Sequence, residues 1–145
     1  MKKTVRRLLE EKGHAIHWVA PEASVYVAIE QMATRGVGAL LVMDGERLAG
    51  ILSERDYARQ VILRGRSSKE TRVDEIMTSE VVGVDPDRTV EECMALMTEK
   101  RIRHLPVIEN SQVIGVISIG DVVHAALAER DFHIQQLESY IATAG

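Results

Sequence analysis

An internal repeat constrains the fold of this chain more than any other feature of its sequence. Residues 19–59 align without a gap on residues 84–124, at a constant offset of 65 positions. Two copies are too few for a solenoid, so we expect two similar halves packed face to face. Nine aligned positions are identical, namely Val19/Val84, Pro21/Pro86, Val25/Val90, Met32/Met97, Leu40/Leu105, Val42/Val107, Gly50/Gly115, Ser53/Ser118 and Asp56/Asp121.

Each copy opens with a pattern that predicts a strand followed by a helix. The strands are expected at Ile16–Val19 and Val81–Val84, each closed by a proline two residues later. Ser24 is the expected N-cap of the first helix, and Thr89 with Glu92 forms a capping-box pattern before the second. Helical spacing predicts that the buried faces consist of Val25, Ala28, Ile29, Met32 and Ala33 in one copy and Val90, Cys93, Met94 and Met97 in the other.

The second part of each copy predicts a hairpin and another helix. Asp44-Gly45 separates two apolar runs and is a strong hairpin signal. Asn110-Ser111 occupies the corresponding place in the second copy, with weaker turn chemistry. The closing helices should begin near Glu54 and Ile119, so each copy reads strand, helix, strand, strand, helix.

These patterns predict a mixed α+β fold with two tandem β-α-β-β-α repeats related by pseudo-two-fold symmetry and flanked by helices. Apolar residues lie among polar ones at both ends of the chain, which predicts amphipathic terminal helices that pack on their own domain or on a partner. The expected segments are an N-terminal helix at 1–15, a first repeat at 16–64, a polar linker at 65–72, a second repeat at 73–130 and the end of a C-terminal helix at 131–145.

Composition and charge exclude several classes of function. The net charge of -4 argues against a general nucleic-acid binder, which would carry a basic patch. No apolar run reaches the length of a signal peptide or a membrane span, so we expect a cytoplasmic protein without a membrane partner. Cys93 is the single cysteine, and it falls on a predicted buried helix face, where we expect a structural and not a catalytic role. The five histidines have no metal-ligand spacing.

The repeated segments resemble the CBS domain, the family named after cystathionine beta-synthase, whose tandem pairs form compact modules. In the second copy the resemblance rests on Ile76-Met77-Thr78, on Arg103-His104-Leu105-Pro106-Val107 and on the segment from Gly115 to Asp121. In the first copy it rests on the segment from Gly50 to Asp56, with Gly38-Ala39-Leu40-Leu41-Val42 in place of the basic pair and the proline.

This resemblance implies a cleft between the repeats that binds an adenine nucleotide. AMP is the first expectation, with ADP, ATP, NAD or S-adenosylmethionine as further ligands and no required cofactor. The apolar first strands are expected to supply the adenine pocket. The expected nucleotide-binding residues are Ile16, His17, Gly38, Ala39, Leu40, Ser53, Arg55, Asp56, Thr78, Val82, Arg103, His104, Leu105, Pro106, Ser118, Ile119, Gly120 and Asp121.

The repeated Ser-x-x-Asp pattern supports such a site on physical grounds. Ser53 and Ser118 stand where a strand runs into a helix, and the free N–H groups and the dipole of a helix N-terminus favour a phosphate there. Asp56 and Asp121 each have two oxygens that can accept hydrogen bonds from both ribose hydroxyls. The alternative is a simple helix cap in which serine and aspartate serve the backbone. Both roles remain open, and we favour ribose binding because the motif occurs at equivalent points in both copies.

The basic residues near the two motifs differ, so we expect two unequal sites. The second copy has Arg103 and His104 on its middle strand, and Gly120 lets the backbone approach a phosphate. The first copy has small residues on that strand and Arg55 at the position of the glycine. The second site should favour a mononucleotide phosphate, and the first a bulkier ligand such as a dinucleotide.

The expected function is therefore a non-catalytic regulatory module, forming a homodimer, whose occupancy by a ligand is sensed by a regulated protein that the sequence does not identify. The alternative is a structural or interaction protein with a vestigial cleft. An enzyme is the least favoured reading, because no nucleophile–base pair, metal motif or phosphate-binding glycine loop occurs.

Overall fold

The structure is a computed structural model that describes residues 2–144. Met1 and Gly145, which the predicted terminal segments include, lie outside the described residues. The elements in chain order are α1 Val5–Lys12, β1 Trp18–Val19, α2 Val25–Arg35, β2 Ala39–Asp44, β3 Arg47–Ser53, α3 Glu54–Tyr57, a π-helical turn Ala58–Ile62, a 3-10 turn Val73–Glu75, α4 Val90–Lys100, β4 His104–Glu109, β5 Gln112–Ser118 and α5 Ile119–Ala144. This mixed composition of helices and small sheets confirms the predicted fold class.

The chain forms two compact units, which differ from the sequence segments at their edges. The first unit is Ala15–Val82, and the second combines the residues up to His14 with those from Gly83 onward. Residues 73–82 thus pack with the first repeat, because Thr78 pairs with Ile51 of β3. The helix α1 packs in the second unit, where the backbone N–H of Val90 at the start of α4 donates to the carbonyl of Lys3 at 2.9 Å.

The segment predicted as a polar linker, residues 65–72, is partly built into the first unit. Thr71 is only 3% exposed, and its carbonyl accepts a hydrogen bond from the N–H of Val25 at 2.8 Å. The carbonyl of Ser68 accepts from the N–H of Tyr26 at 2.9 Å. The first N–H groups of a helix have no partner within the helix, and these two carbonyls satisfy two of them in α2.

The helices α2 and α4 begin where the sequence predicts, whereas α1 at Val5–Lys12 is shorter than the predicted segment 1–15. Ser24 caps α2, and Thr89 with Glu92 forms the capping box of α4. The predicted faces are buried at most positions, but Ala33 is exposed, so the first face is narrower than expected. The first hairpin turns at Gly45-Glu46, one residue later than predicted. The predicted C-terminal segment continues α5 without a break.

The two units differ in their sheets, and one predicted strand is wrong. In the first unit β1 pairs in parallel with β2, and β2 is antiparallel to β3. In the second unit β4 and β5 form a two-stranded sheet, and Val81–Val84 is no strand but a single bridge from Val84 to Val107.

Pro106 explains the missing strand. In the first unit the N–H of Leu41 donates to the carbonyl of His17 at 3.0 Å, which helps to hold β1 against β2. The residue aligned with Leu41 is Pro106, which has no N–H to donate. Without that hydrogen bond the pairing shortens to the contacts that Val84 makes with Pro106 and Ile108.

Candidate functional site

The Ser-x-x-Asp motif of the first unit joins the end of β3 to the start of α3. The backbone N–H of Ser53 donates to Oδ2 of Asp56 at 2.9 Å, and the Ser53 hydroxyl donates to the same oxygen at 3.0 Å. In return the N–H of Asp56 donates to Oγ of Ser53 at 3.2 Å. These bonds form a complete capping box.

The second unit repeats this arrangement where β5 meets α5. The N–H of Ser118 donates to Oδ2 of Asp121 at 2.8 Å, and the N–H of Asp121 donates to Oγ of Ser118 at 3.2 Å. The capping reading of the motif is therefore confirmed in both units.

Ribose binding by the two aspartates remains a prediction, and it is compatible with the caps. Both caps use only Oδ2, and Oδ1 of each aspartate accepts no hydrogen bond from residues 2–141, whose side chains the structure describes. Both aspartates are half-buried, so each side chain keeps some contact with solvent. Each motif thus keeps one carboxylate oxygen for a ligand after the cap is complete.

Lys12, at the end of α1, contacts the second motif, a contact that the sequence did not predict. Its ammonium donates to Oδ2 of Asp121 and to the carbonyl of Val116 at 2.6 Å. Burial alone would raise the pKa of Asp121, but the hydrogen bonds from Lys12 and from Ser118 lower it below its ordinary value. A basic residue in the last turn is an ordinary helix feature, so no sequence signal linked Lys12 to Asp121.

The structure places the predicted middle-strand residues beside these motifs. The carbonyl of Arg103 accepts the first N–H of α5, from Ile119, at 2.8 Å. The carbonyl of Gly38 accepts the N–H of Glu54 at 3.0 Å in the same way. The residues that follow, His104 and Ala39, pair in register with Ser118 and Ser53 respectively. The side chain of Arg103 is exposed.

Three predicted site residues offer no side-chain surface to a ligand. The side chains of Leu40 and Leu105 are buried in the cores of their units, and Pro106 is buried beside Leu105. A ligand contact at these positions would have to come from the backbone.

The remaining predicted residues are accessible to varying degrees. Gly120 is exposed, and a Cβ there would meet only Oγ of Ser118 at 3.6 Å, so the fold itself does not require this glycine. Thr78 holds its position by exchanging backbone hydrogen bonds with Ile51. Arg55 is exposed, and the half-buried positions are Ile16, His17, Val82 and Ile119.

Other chemistry-bearing groups lie apart from the motifs. Cys93 is fully buried, and burial raises the pKa of its thiol to about 11, which makes it a poor nucleophile. A cavity of about 350 Å³ lies beside α4, near Cys93, and none of the predicted site residues lines it. Among the described residues, no cluster of histidine, cysteine and carboxylate side chains suits a metal ion. No helix within residues 2–144 has the length and apolarity of a membrane span.

Comparison with known proteins matches both repeats to one family. The family model of the CBS domain matches residues 5–62 and 73–128. The chain belongs to the CBS domain family. As a tandem CBS pair, it is similar to CBS domain-containing protein CBSX3, mitochondrial, of Arabidopsis thaliana, with 42% identity over 95% of this chain and 71% of that protein. Because this relative is named as mitochondrial, the expected cytoplasmic location stays a prediction.

Solved CBS structures share the fold. A CBS-domain protein of Burkholderia ambifaria, named for a role in signal transduction, is 53% identical, with a TM-score of 0.84 over 87% of this chain and 95% of that one. The CBS pair of the protein MJ0100, solved with 5-methylthioadenosine and S-adenosylmethionine, has a TM-score of 0.77 over 89% of this chain and 99% of that one. At 20% identity, the second likeness concerns the fold alone.

Proposed function

We propose that this CBS pair is a regulatory module, rather than an enzyme, that binds adenosine-containing ligands at its two Ser-x-x-Asp motifs. The observation that carries the proposal is the open Oδ1 of Asp56 and of Asp121, each held by a completed cap at an equivalent place in its unit. A fixed carboxylate with one oxygen free is a preformed acceptor for ribose hydroxyls.

AMP is the first ligand to test. The exposed Arg103 stands next to the start of α5, where its planar guanidinium can bind two phosphate oxygens of a mononucleotide. The MJ0100 complex supports the wider class, because it contains two adenosine compounds in a CBS pair of the same fold. ADP, ATP, NAD and S-adenosylmethionine are therefore the other candidates, and ligand occupancy would bias the conformation that a regulated protein recognises.

Replacing Asp121 should weaken nucleotide binding. Hydrogen bonds to a charged group contribute about 1.5–3 kcal/mol, so we expect Asp121→Ala to reduce affinity about tenfold or more. Asp121→Asn keeps an oxygen for the cap, which separates ligand binding from loss of the cap. Asp131→Ala, an exposed position on the same helix, is the matched control and should bind like the unaltered protein.

Isothermal calorimetry with each candidate ligand gives the measurement. If none of the five compounds binds to the unaltered protein, the proposed function is wrong. That result would favour the alternative hypothesis, an interaction protein that acts through its helix surfaces. If they bind and both Asp121 variants keep full affinity, Asp121 does not belong to the site.

The end of α5 favours a homodimer, the second part of this proposal. Phe132, Leu137, Tyr140 and Ile141 are each more than half exposed. Large exposed apolar patches mark interaction sites, and symmetric pairing of this helix with a second copy would cover them. We expect light scattering to give the mass of a dimer at micromolar concentration, and the double variant Leu137→Glu, Ile141→Glu to give a monomer. A monomeric unaltered protein, with and without AMP, would contradict this.

A further inference from the structure

The two aspartates of the candidate sites differ in the charge that surrounds them. Oδ2 of Asp121 accepts the Lys12 ammonium in addition to the N–H of Ser118. Oδ2 of Asp56 accepts the N–H and the hydroxyl of Ser53, and no lysine, arginine or histidine of the described chain forms an ion pair with it. One carboxylate is thus paired with a cation, and the other has no such partner among the described residues.

This difference decides which ligands each carboxylate tolerates. An unpaired carboxylate repels a phosphate that approaches within a few ångströms. The Lys12–Asp121 pair has no net charge, so it removes that repulsion from the second unit. A ligand that bonds Oδ1 of Asp121 through its ribose can therefore bring an anionic group close to the same residue.

Lys12 is held in place before any ligand arrives. Val5, Leu8 and Leu9 bury one face of α1 in the second unit. Beyond the end of the helix, Nδ1 of His14 is 2.7 Å from the carbonyl of Ile114, which fixes the chain against β5. The ammonium has three N–H donors, and two of them donate to the carbonyl of Val116 and to Oδ2 of Asp121. The third can donate to a ligand. The side chain is 37% exposed, so a ligand can reach it.

We propose that Lys12 is a specificity-determining residue, which makes the site at Ser118 and Asp121 selective for adenosine ligands that carry a phosphate. This inference rests on the proposed function and names the ligand charge that one of its two sites accepts.

The test compares AMP with adenosine, which differ only in the phosphate, in a background that isolates one site. Asp56→Ala removes the first-unit carboxylate, so calorimetry then reports the second-unit site. In that background we expect Lys12→Met to weaken AMP about tenfold, with adenosine changed less than about twofold. Lys12→Arg keeps the charge and should retain AMP affinity within about threefold. Lys3→Met is the matched control, since Lys3 pairs with Glu11 and not with Asp121.

Each outcome decides between the inference and the proposed function. Equal losses for AMP and adenosine in Lys12→Met would show a merely structural role, and unchanged or tighter AMP binding would show no phosphate contact. Either result overturns the inference and leaves the proposed function intact. The inference is also wrong if the unaltered protein binds AMP and the Asp56→Ala variant does not. If the unaltered protein binds neither compound nor any other adenosine ligand, the proposed function fails and the inference with it.

Discussion

Replacing Leu9 with alanine should lower the free energy of unfolding by about 2–5 kcal/mol. Leu9 is 0% exposed, although it lies on an eight-residue helix at the edge of the sequence. Its side chain packs against Gly115 in β5, so the shorter side chain leaves a cavity in the second unit. Urea denaturation measures the loss. The matched control is Leu63→Ala, at a leucine that is 78% exposed, which should change stability by less than about 0.5 kcal/mol.

A double variant tests whether Leu9 and Gly115 contact each other. A Cβ on Gly115 would lie 2.7 Å from Cδ2 of Leu9, so Gly115→Ala alone should also destabilise the protein. Because alanine at position 9 vacates that space, the double variant should cost less than the two single changes added together. Additive losses, or a Leu9→Ala protein as stable as the Leu63→Ala control, would contradict the packing of α1 described above.

The elements that the sequence predicted well are those defined by neighbouring residues. Ser24 and Thr89 fix the starts of two helices through bonds to N–H groups three positions ahead, and this chemistry is visible locally. The hairpins follow from turn residues between apolar runs. Asn110 and Ser111 both adopt positive φ values, 53° and 65°, as a two-residue hairpin of the favoured twist demands, even though neither is glycine.

The elements that the sequence did not predict depend on partners far along the chain. An amphipathic pattern shows that α1 buries one face, but not that this face packs in the second unit. The polar composition of residues 65–72 hides the buried Thr71, whose carbonyl serves Val25. Pro106 was visible in the sequence, but its effect on the opening strand depends on a pairing that only the fold defines.

The residues of the candidate site show the same difference between local patterns, which were predicted, and contacts between distant parts of the chain, which were not. The Ser-x-x-Asp motifs and the neighbouring Arg103 were predicted, because they recur at equivalent points of a repeat. Lys12 was not, since it lies outside the repeated segments and its contact with Asp121 spans 109 residues. The cap was predicted only as the alternative to ribose binding, and it is complete even though aspartate stands where glutamate is usual.

Gly50 is the glycine of the first unit at which an added methyl group would meet the closest neighbouring atoms. A Cβ there would lie 2.8 Å from the carbonyl oxygen of Thr78 and 2.7 Å from Sδ of Met77. The methionine side chain can move, but the carbonyl belongs to backbone that is hydrogen-bonded to Ile51 in both directions. Relief of the clash therefore requires Thr78 to move away from β3. Because Thr78 is a predicted ligand-binding residue, this movement should also disturb the first-unit site.

We expect Gly50→Ala to lower the free energy of unfolding by about 3 kcal/mol, the upper part of the range for overpacking. Gly120→Ala is the matched control for stability, because its Cβ meets nothing closer than 3.6 Å and alanine is the better helix former. It should be at least as stable as the unaltered protein. The Gly50 variant should also lose ligand binding at the first-unit site, whereas AMP binding that depends on Asp121 should persist. Calorimetry on the double variant Gly50→Ala, Asp121→Asn separates the two sites. If Gly50→Ala unfolds at the same urea concentration as Gly120→Ala, Thr78 does not pack closely on β3. In that case this contact no longer supports Thr78 as a residue of the ligand site.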